Sequence, residues 1–320
     1  MGLPKPSIGS RRRAARWFSR HALPLLLVVA TALSTAAEAG GGARPLPGAK
    51  AMAADGRAPK FAHECDLFAY HFVNGEAVFL ATLAEGLLGQ VSTRGDRRSN
   101  DDGWAFGYFL APPLENITRP IILRRGARGI FDLARWDAAV AEVQNHGLAT
   151  AASVVGHVRN SSFGPDAGAL PDPHPFADSL AGRWWLFAHN GTVAPDSLLQ
   201  WIDRAFLDAH PLDYAPLYVD SELLFRFALD MVSRYGNVQR GLLAAFDRVE
   251  RSGGLFNLCL TDGDTLWTAH SFHQVPFRYG ARADSTAWWV ATYAAAEPSA
   301  QMELNRLYWF APGSVGSRGY

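Results

Sequence analysis

The feature that most constrains the fold is a pair of short apolar runs that each lead into polar residues. The runs cover residues 153–158 and 184–188. The polar residues are His157 and Arg159 for the first run, and His189, Asn190 and Gly191 for the second. Short apolar runs of this kind predict buried strands, and functional sites often lie on the segments that follow strands. We therefore expect a sheet with a site at one edge.

The rest of the chain alternates between strand patterns and helix patterns. Further strands are predicted at 104–110, 121–123, 288–292 and 307–310, with a hairpin around Asp262-Gly263 within residues 255–270. Helices are predicted at 131–144, 197–209, 221–235 and 238–251. Strands, a helical block and strands again indicate an α+β domain in which packed sheets are covered by helices.

The first 64 residues are typical of a leader rather than of a folded domain. Arginines precede an apolar stretch at residues 23–33, and small residues at 37–39 offer a cleavage site, which is the layout of a signal peptide. The stretch is shorter than the roughly 20 residues that span a bilayer. We predict a signal peptide at 1–39 and a linker or propeptide at 40–64. A genuine leader would send the protein to the periplasm or the exterior; otherwise it would be cytoplasmic.

The distribution of charge argues against nucleic acid as a partner. Lys plus Arg and Asp plus Glu both total 30, but the first 64 residues are net positive and the remainder is net negative. All three lysines, Lys5, Lys50 and Lys60, lie in that first segment. Because proteins bind a phosphate backbone mainly through clustered Lys and Arg, residues 65–320 are not expected to bind nucleic acid.

The two cysteines, Cys65 and Cys259, leave several interpretations open. In an exported chain they could form one disulfide. Cys259 lies in an apolar run, which favours a small buried hydrophobic residue. Cys65 could be an inert buried thiol. If the chain were cut before it, however, its own α-amine, with an ordinary pKa of about 7.7 to 8.0, could take up the thiol proton and leave a nucleophilic thiolate.

Arg159 and Asp220 are candidates for binding the two charged groups of a free amino acid. The planar guanidinium of Arg159 suits bidentate contact with an α-carboxylate. Asp220 opens a predicted helix and could accept hydrogen bonds from an α-ammonium group. A structural ion pair for the arginine and a helix cap for the aspartate remain alternatives.

Asn190-Gly191 could hold the oxyanion of a tetrahedral intermediate through a side-chain amide and a backbone N–H. The same dipeptide is also common in turns. His157, His174 and His189 cluster around the predicted site and are candidate substrate-loop residues. No H-E-x-x-H or Cys-x-x-Cys pattern accompanies them, so neither a metal nor another cofactor is expected.

The order of five short motifs resembles the class II glutamine amidotransferases, which are N-terminal nucleophile hydrolases, and in particular their compact standalone branch. The motifs are Cys65-Asp66-Leu67-Phe68, Asp102-Gly103-Trp104, Gly156-His157-Val158-Arg159, His174-Pro175-Phe176 and Phe187-Ala188-His189-Asn190-Gly191. The resemblance spans most of residues 65–310. It implies a four-layer αββα sandwich, with a glutamine amidotransferase type 2 domain at 65–320.

The resemblance also implies a role for each candidate residue. Cys65 would be the nucleophile, and Asn190 and Gly191 would form the oxyanion hole. Arg159 would bind the α-carboxylate of glutamine, and Asp220 would bind its α-ammonium group. The side-chain amide of glutamine, or of a related γ-glutamyl compound, would leave as ammonia, and water would hydrolyse the Cys65 thioester. The ammonia acceptor and any partner subunit stay open.

Two of the departures from the family pattern concern the nucleophile. Standalone members usually begin at the cysteine after the initiator Met, whereas this chain needs a cut at Glu64-Cys65. Asp66 replaces the basic residue that commonly follows the nucleophile. Two other functions therefore remain open: an exported amino-acid-binding protein of the same fold without catalysis, and an N-terminal nucleophile acylase acting on an amide other than that of glutamine.

Overall fold

The computed structural model describes the chain in several segments. They are residues 65–72, 103–110, 119–125, 151–159, 174–216, 218–281, 287–292, 299–311 and 314–320. The predicted signal peptide, the predicted linker or propeptide and the helix predicted at 131–144 lie outside these ranges. No helix within them is long and apolar enough to cross a membrane.

Two antiparallel sheets form the centre of the described fold. The strands are β1 (Asp66–Phe72), β2 (Gly103–Leu110), β3 (Ile121–Arg125), β4 (Ala151–Arg159), β5 (Phe176–Leu180), β6 (Arg183–Thr192), β7 (Leu255–Thr261), β8 (Leu266–His270), β9 (Arg278–Ala281), β10 (Ala287–Ala291), β11 (Ala300–Gln301), β12 (Arg306–Ala311) and β13 (Ser314–Gly319). The first sheet has the order β11-β9-β10-β1-β4-β2-β3, and the second has the order β13-β12-β8-β7-β6-β5. The strand that follows Cys65 is thus central in the first sheet.

A helical layer covers the second sheet. Its helices are α1 (Pro195–Trp201), α2 (Arg204–Ala209), α3 (Asp220–Tyr235) and α4 (Val238–Arg251). The single helix predicted at 197–209 is interrupted because the Asp203 side chain accepts a hydrogen bond from the Ala205 N–H at 2.8 Å and starts a new helix. Helix α3 ends at Gly236, whose φ of 59° lies in the left-handed region common at helix ends.

Two apolar layers hold the sheets and helices together. Leu67 and Val155 of the first sheet pack with Ala188 and Cys259 of the second sheet, which forms the inner layer. Successive residues of a strand point to opposite faces, so Phe187, the neighbour of Ala188, packs instead in the outer layer against the helices. The described residues therefore stack as sheet, sheet and helices.

Cys259 is a fully buried member of the inner layer, as the apolar run around it predicted. Burial raises the pKa of its thiol well above the ordinary value, so the thiol stays protonated. It forms no disulfide with Cys65. The disulfide interpretation is therefore wrong.

Strand β6 is longer than the run that predicted it, and this changes the reading of Asn190-Gly191. The strand continues to Thr192 because β7 pairs with it as far as Leu255. Asn190 faces Asn257 and Gly191 faces Phe256 within this ladder. The turn interpretation of Asn190-Gly191 is therefore wrong. The predicted hairpin between β7 and β8 is confirmed, with Gly263 in the turn at a φ of 92°.

Candidate functional site

Strands β1 and β4 bring Cys65 and Arg159 to the same edge of the first sheet. Asp66 is opposite Val158 in the ladder, so the next residue along each strand is Cys65 on one side and Arg159 on the other. Leu67 faces the inner layer, and strand alternation places Cys65 on the same face. Cys65 and Arg159 are both half-buried. They therefore lie where the space between the two sheets meets the exterior.

The glycine that opens the Gly156-His157-Val158-Arg159 motif has a packing role. A Cβ atom at Gly156 would lie 1.9 Å from the Phe68 ring, which covers that position. Phe68 is itself opposite Gly156 in the β1/β4 ladder. A side chain at residue 156 would therefore displace Phe68 and disturb the strand that carries Cys65.

Strand β6 brings Asn190 to Cys65 from the second sheet. Ala188 faces the inner layer, and Asn190, two residues further along, shares that face. The Asn190 Nδ2 atom donates a hydrogen bond to the backbone carbonyl oxygen of Cys65 at 2.5 Å. A side-chain amide has two N–H groups, so the same nitrogen can also donate to a group bound at the thiol.

Gly191 can present its backbone N–H at the same edge. Ser271 N donates to Phe256 O at 2.7 Å, so the polar backbone groups of Phe256 point towards β8. Gly191, opposite Phe256, must then direct its own N–H away from β7. On that side the β5 ladder stops at Phe187. The N–H therefore points to a part of β6 that β5 does not cover.

Gly191 tolerates no side chain. Its φ is 150°, and a Cβ atom there would lie 2.0 Å from the Leu255 carbonyl oxygen and 2.8 Å from His189 Nε2. Non-glycine residues rarely adopt such a backbone conformation. This position therefore requires glycine whatever its chemical role.

Asp220 is the first residue of α3, and its carboxylate is fixed by two backbone groups. It accepts hydrogen bonds from the Val193 N–H at 3.1 Å and the Ser221 N–H at 2.8 Å. The first bond ties the carboxylate to the chain just beyond β6, and the second is a contact within the first turn of the helix. Because a carboxylate has about four acceptor positions, it can still accept from an ammonium group.

The three candidate substrate-loop histidines occupy different positions. His157 lies in β4, and its ring is 4.0 Å from that of His174, measured between centroids. His174 precedes β5 and packs edge-on against Phe176. His189 lies in β6. The structure thus brings the rings of His157 and His174 into contact, tilted by 42° to each other.

His189 links β6 to α3. Its Nδ1 atom is 2.9 Å from Ser221 Oγ, and its Nε2 atom is 3.4 Å from Leu255 O. Burial lowers the pKa of the imidazole, and the nearby Asp220 charge offsets this only in part. A neutral His189 therefore connects the Asn190 strand to the helix that carries Asp220.

One residue close to Asp220, Glu222, was not predicted to take part in the site. Glu222 is fully buried and accepts hydrogen bonds from the Asp213 N–H at 2.6 Å and the Tyr214 N–H at 3.3 Å. Burial raises the pKa of its carboxyl group. These bonds fix the loop that leads into α3. Glu222 lies near the start of the helix predicted at 221–235, and the sequence pattern gave no sign that its carboxylate would bind this loop.

A pair of residues beside Asn190 was also not predicted to take part in the site. Asn257 is opposite Asn190 in the β6/β7 ladder, and its Oδ1 atom is 2.5 Å from His270 Nδ1. Burial is the main cause that lowers the pKa of His270 to about 4. Both residues sit in apolar runs whose pattern predicted only buried strands. Among the residues that the structure describes, no group of three or more His, Cys, Asp or Glu side chains could hold a metal ion.

Comparison with known proteins places this chain in a family. The family model for class II glutamine amidotransferases matches residues 78–300. YafJ of Escherichia coli (strain K12), which is named as a glutamine amidotransferase, is 25% identical to this chain over 184 residues. These residues cover 55% of this chain. The match spans 62% of YafJ, less than two thirds of its length.

Solved structures show the fold. The glutamine aminotransferase class-II domain protein of Silicibacter pomeroyi has a TM-score of 0.53 at 19% identity and covers 80% of this chain and 99% of its own. An allosteric regulatory enzyme of purine biosynthesis has a TM-score of 0.54 at 14% identity, over 80% of this chain and 49% of its own. With the two sheets and their helices, these likenesses confirm the predicted αββα sandwich of N-terminal nucleophile hydrolase type. Because the family model covers well over half of the sequence, the chain belongs to the class II glutamine amidotransferases.

Proposed function

We propose that this protein hydrolyses the side-chain amide of glutamine, or of a related γ-glutamyl compound, through a thioester on Cys65. The observation that carries the proposal is the 2.5 Å hydrogen bond from Asn190 Nδ2 to the Cys65 carbonyl oxygen. It puts an amide donor from one sheet beside the nucleophile candidate at the edge of the other. Family membership supports glutamine as the substrate.

The proposed reaction begins with proton transfer from the Cys65 thiol to its own α-amine. The thiolate attacks the amide carbon, and the negative charge that forms on the oxygen is stabilised by N–H groups of Asn190 and Gly191. The C–N bond then breaks, and the leaving nitrogen takes the proton from the α-ammonium group and departs as ammonia. Water, deprotonated by the same amine, attacks the thioester and releases the glutamate product with the thiol restored.

Arg159 and Asp220 supply the recognition of the amino-acid end. Arg159 stands at the end of β4, one ladder position from the Asp66–Val158 pair. Asp220 is held by the Val193 N–H just beyond β6. A guanidinium and a carboxylate match the α-carboxylate and α-ammonium groups of an amino acid. Binding of these two groups would orient the side-chain amide towards Cys65.

The mechanism requires a cut between Glu64 and Cys65, since only a chain end carries a free α-amine. We propose that this cut follows export through the predicted signal peptide. The support lies in the sequence alone: an arginine-rich start, an apolar stretch and a Gly- and Pro-rich segment precede Cys65.

The test combines mass spectrometry with an ammonia assay. We expect the purified active protein to begin at Cys65 and to release ammonia from glutamine. Cys65→Ser should abolish most of this activity. Cys259→Ser is the matched control, because it makes the same change at a buried thiol, and it should keep the activity per folded molecule. An active chain still joined to Glu64 would overturn the mechanism.

The same experiment separates the other candidate functions. Glutamine binding by an uncut chain without turnover would indicate an amino-acid-binding protein of this fold. Turnover of other amides with none of glutamine would indicate an acylase.

A further inference from the structure

We propose that Thr292 and Asp66 are positioning residues that hold Cys65 in place once it has become a chain end. The inference rests on the proposed function, because it requires the cut before Cys65. It concerns residues outside the predicted reaction: Asp66, a buried carboxylate next to the nucleophile, and Thr292, a buried hydroxyl just beyond β10.

Thr292 binds both polar backbone groups of Leu67. Its N–H donates to the Leu67 carbonyl oxygen at 2.9 Å. Its side-chain Oγ1 accepts from the Leu67 N–H, also at 2.9 Å. A side-chain oxygen thus occupies the acceptor position that a backbone carbonyl would have in a regular ladder. The threonine thereby extends the pairing of β1 and β10 beyond Phe68 and Ala291, their last paired residues at this end.

The same hydroxyl also reaches the residue next to the nucleophile. Thr292 Oγ1 lies 3.3 Å from Asp66 Oδ1 and 3.4 Å from the Leu67 carbonyl oxygen. Because that carbonyl oxygen already accepts from the Thr292 N–H, the hydroxyl proton can go to Asp66. Asp66 is only 2% exposed. A buried carboxylate is costly unless it accepts hydrogen bonds, so this contact favours one fixed orientation of Asp66. One hydroxyl group therefore fixes two consecutive residues after Cys65.

A cut before Cys65 makes such contacts necessary. Chain ends are usually poorly ordered unless something ties them down. On the side of the second sheet, Asn190 donates to the Cys65 carbonyl oxygen. On the β4 side, Asp66 pairs with Val158. On the β10 side, Thr292 binds the backbone of Leu67. The three contacts together define where the thiol and the new amine can lie.

The test uses variants that differ by a single hydroxyl group. Thr292→Val keeps the shape and removes the hydroxyl, whereas Thr292→Ser keeps the hydroxyl. Thr261→Val is the matched control: Thr261 is a buried threonine whose Oγ1 accepts from the Gly263 N–H at 3.1 Å, in the turn after β7. Each variant is first shown by mass spectrometry to begin at Cys65.

We expect Thr292→Val to lower kcat for glutamine by about 10-fold to 100-fold, the loss typical of a small misplacement of a reacting group, with little change in KM. Thr292→Ser should restore most of kcat. Thr261→Val should lower the Tm and leave kcat near that of the wild type. A second readout is independent of turnover: an aminopeptidase should remove Cys65 faster from Thr292→Val than from the wild type or from Thr261→Val.

The outcomes separate this inference from the proposed function. If the wild type hydrolyses glutamine, and Thr292→Val matches it both in kcat and in the rate at which the aminopeptidase removes Cys65, the positioning role is wrong. Equal loss of kcat in Thr292→Val and Thr261→Val would also overturn it, since general destabilisation would explain both. If the wild type is cut but does not hydrolyse glutamine, while Thr292→Val is trimmed faster, the positioning role stands and the proposed function fails. An uncut wild type overturns both.

Discussion

The two ends of the sandwich each have a side-chain hydrogen bond that joins one sheet to the other. At the site end, Asn190 of the second sheet donates to the carbonyl oxygen of Cys65, just before β1. At the distal end, Ser153 of β4 donates to the carbonyl oxygen of Gly263, in the turn between β7 and β8, at 3.3 Å. The Nδ1 atom of His71 lies 2.7 Å from the same Ser153 oxygen.

The two bonds differ in the number of donor hydrogens that the side chain has left after making the bond. Ser153 has one hydroxyl proton, and the Gly263 carbonyl uses it. Asn190 has two amide N–H groups, and Cys65 uses one. The distal bond therefore uses its donor fully, whereas the Asn190 amide at the site end keeps a second N–H that can donate to another group. Burial alone does not distinguish them, because Asn190 and Ser153 are both buried.

The largest expected effect is on activity at the site end. Asn190→Ala removes the amide donor, and the loss of one oxyanion donor typically raises the barrier by about 2.7 to 4 kcal/mol. We expect kcat to fall by about 100-fold to 1,000-fold, as seen for such donors elsewhere. Steady-state kinetics of ammonia release measures the loss. A near-normal kcat would show that Asn190 only joins the sheets, as Ser153 does.

The second effect concerns acid stability at the distal end. Burial is the main cause that lowers the pKa of His71 to about 4 in the folded protein, against an ordinary value of 6.5. As the pH falls, the unfolded chain therefore binds the proton before the folded protein does, and protonation favours unfolding. The contribution of neutral His71 to the free energy of unfolding, about 3 kcal/mol, is fully present above pH 6.5 and is lost as the pH falls from 6.5 to 4.

His71→Asn isolates this contribution, because it keeps an N–H donor near Ser153 but does not titrate. Between pH 6.5 and 4, we expect it to lose less unfolding free energy than the wild type, by about 3 kcal/mol. Urea unfolding at the two pH values gives the difference. His270, whose pKa is also lowered to about 4, contributes to both proteins and cancels. Equal losses in the two proteins would show that His71 does not set acid stability.

A third, smaller effect distinguishes the Ser153–Gly263 bond at the distal end from the Asn190–Cys65 bond at the site end. Ser153→Ala removes the distal hydroxyl and leaves His71 Nδ1 without that partner, which should cost about 1 to 3 kcal/mol of unfolding free energy. The kcat for glutamine should stay near that of the wild type. A large fall in kcat would show that the distal end controls the site, and the comparison between the two ends would fail.

The smallest effect is expected from Arg183 at the distal end. Its Nη1 atom lies 2.5 Å from Asp262 Oδ2; the arginine side chain is 58% exposed, whereas the Asp262 side chain is 2% exposed. Pairs with an exposed partner contribute about 0 to 1 kcal/mol, and the Asp264 and Thr265 N–H groups still donate to Asp262 Oδ1 when the arginine is removed. Arg183→Ala should therefore change the free energy of unfolding within that range, as thermal or urea unfolding would show. A loss of several kcal/mol would indicate that Asp262 depends on this arginine.

The fold was predictable where local pattern decides it. Helix α4 begins and ends where its apolar spacing predicted, and the Asn237 side chain caps it by accepting from the Arg240 N–H at 2.9 Å. Strand β5 was missed because it is short and pairs only with β6 at the edge of its sheet. The division between α1 and α2 was missed because Asp203 was not recognised as a cap.

The site was predictable in its motifs and not in its contacts. The order of Cys65, Arg159, Asn190 and Asp220 was sufficient to name them as candidates, and their roles stay predictions. Thr292 could not be found in this way. It bonds to Leu67 across a separation of 225 residues, and no local pattern distinguishes it from other threonines. Asn257 and His270 were not singled out because the hairpin pattern within residues 255–270 predicted strands and said nothing of the contact between these two side chains.

Cys65 and Asn190 approach each other from different sheets, so the thickness of the interior sets their spacing. Side chains as small as Ala69, Ala188 and Cys259 fill part of that interior, which keeps the sheets close. Replacing one of them by a bulkier residue would push the sheets apart and so separate Asn190 from Cys65. The distance between these two residues can thus be changed from a buried apolar layer, without altering either of them.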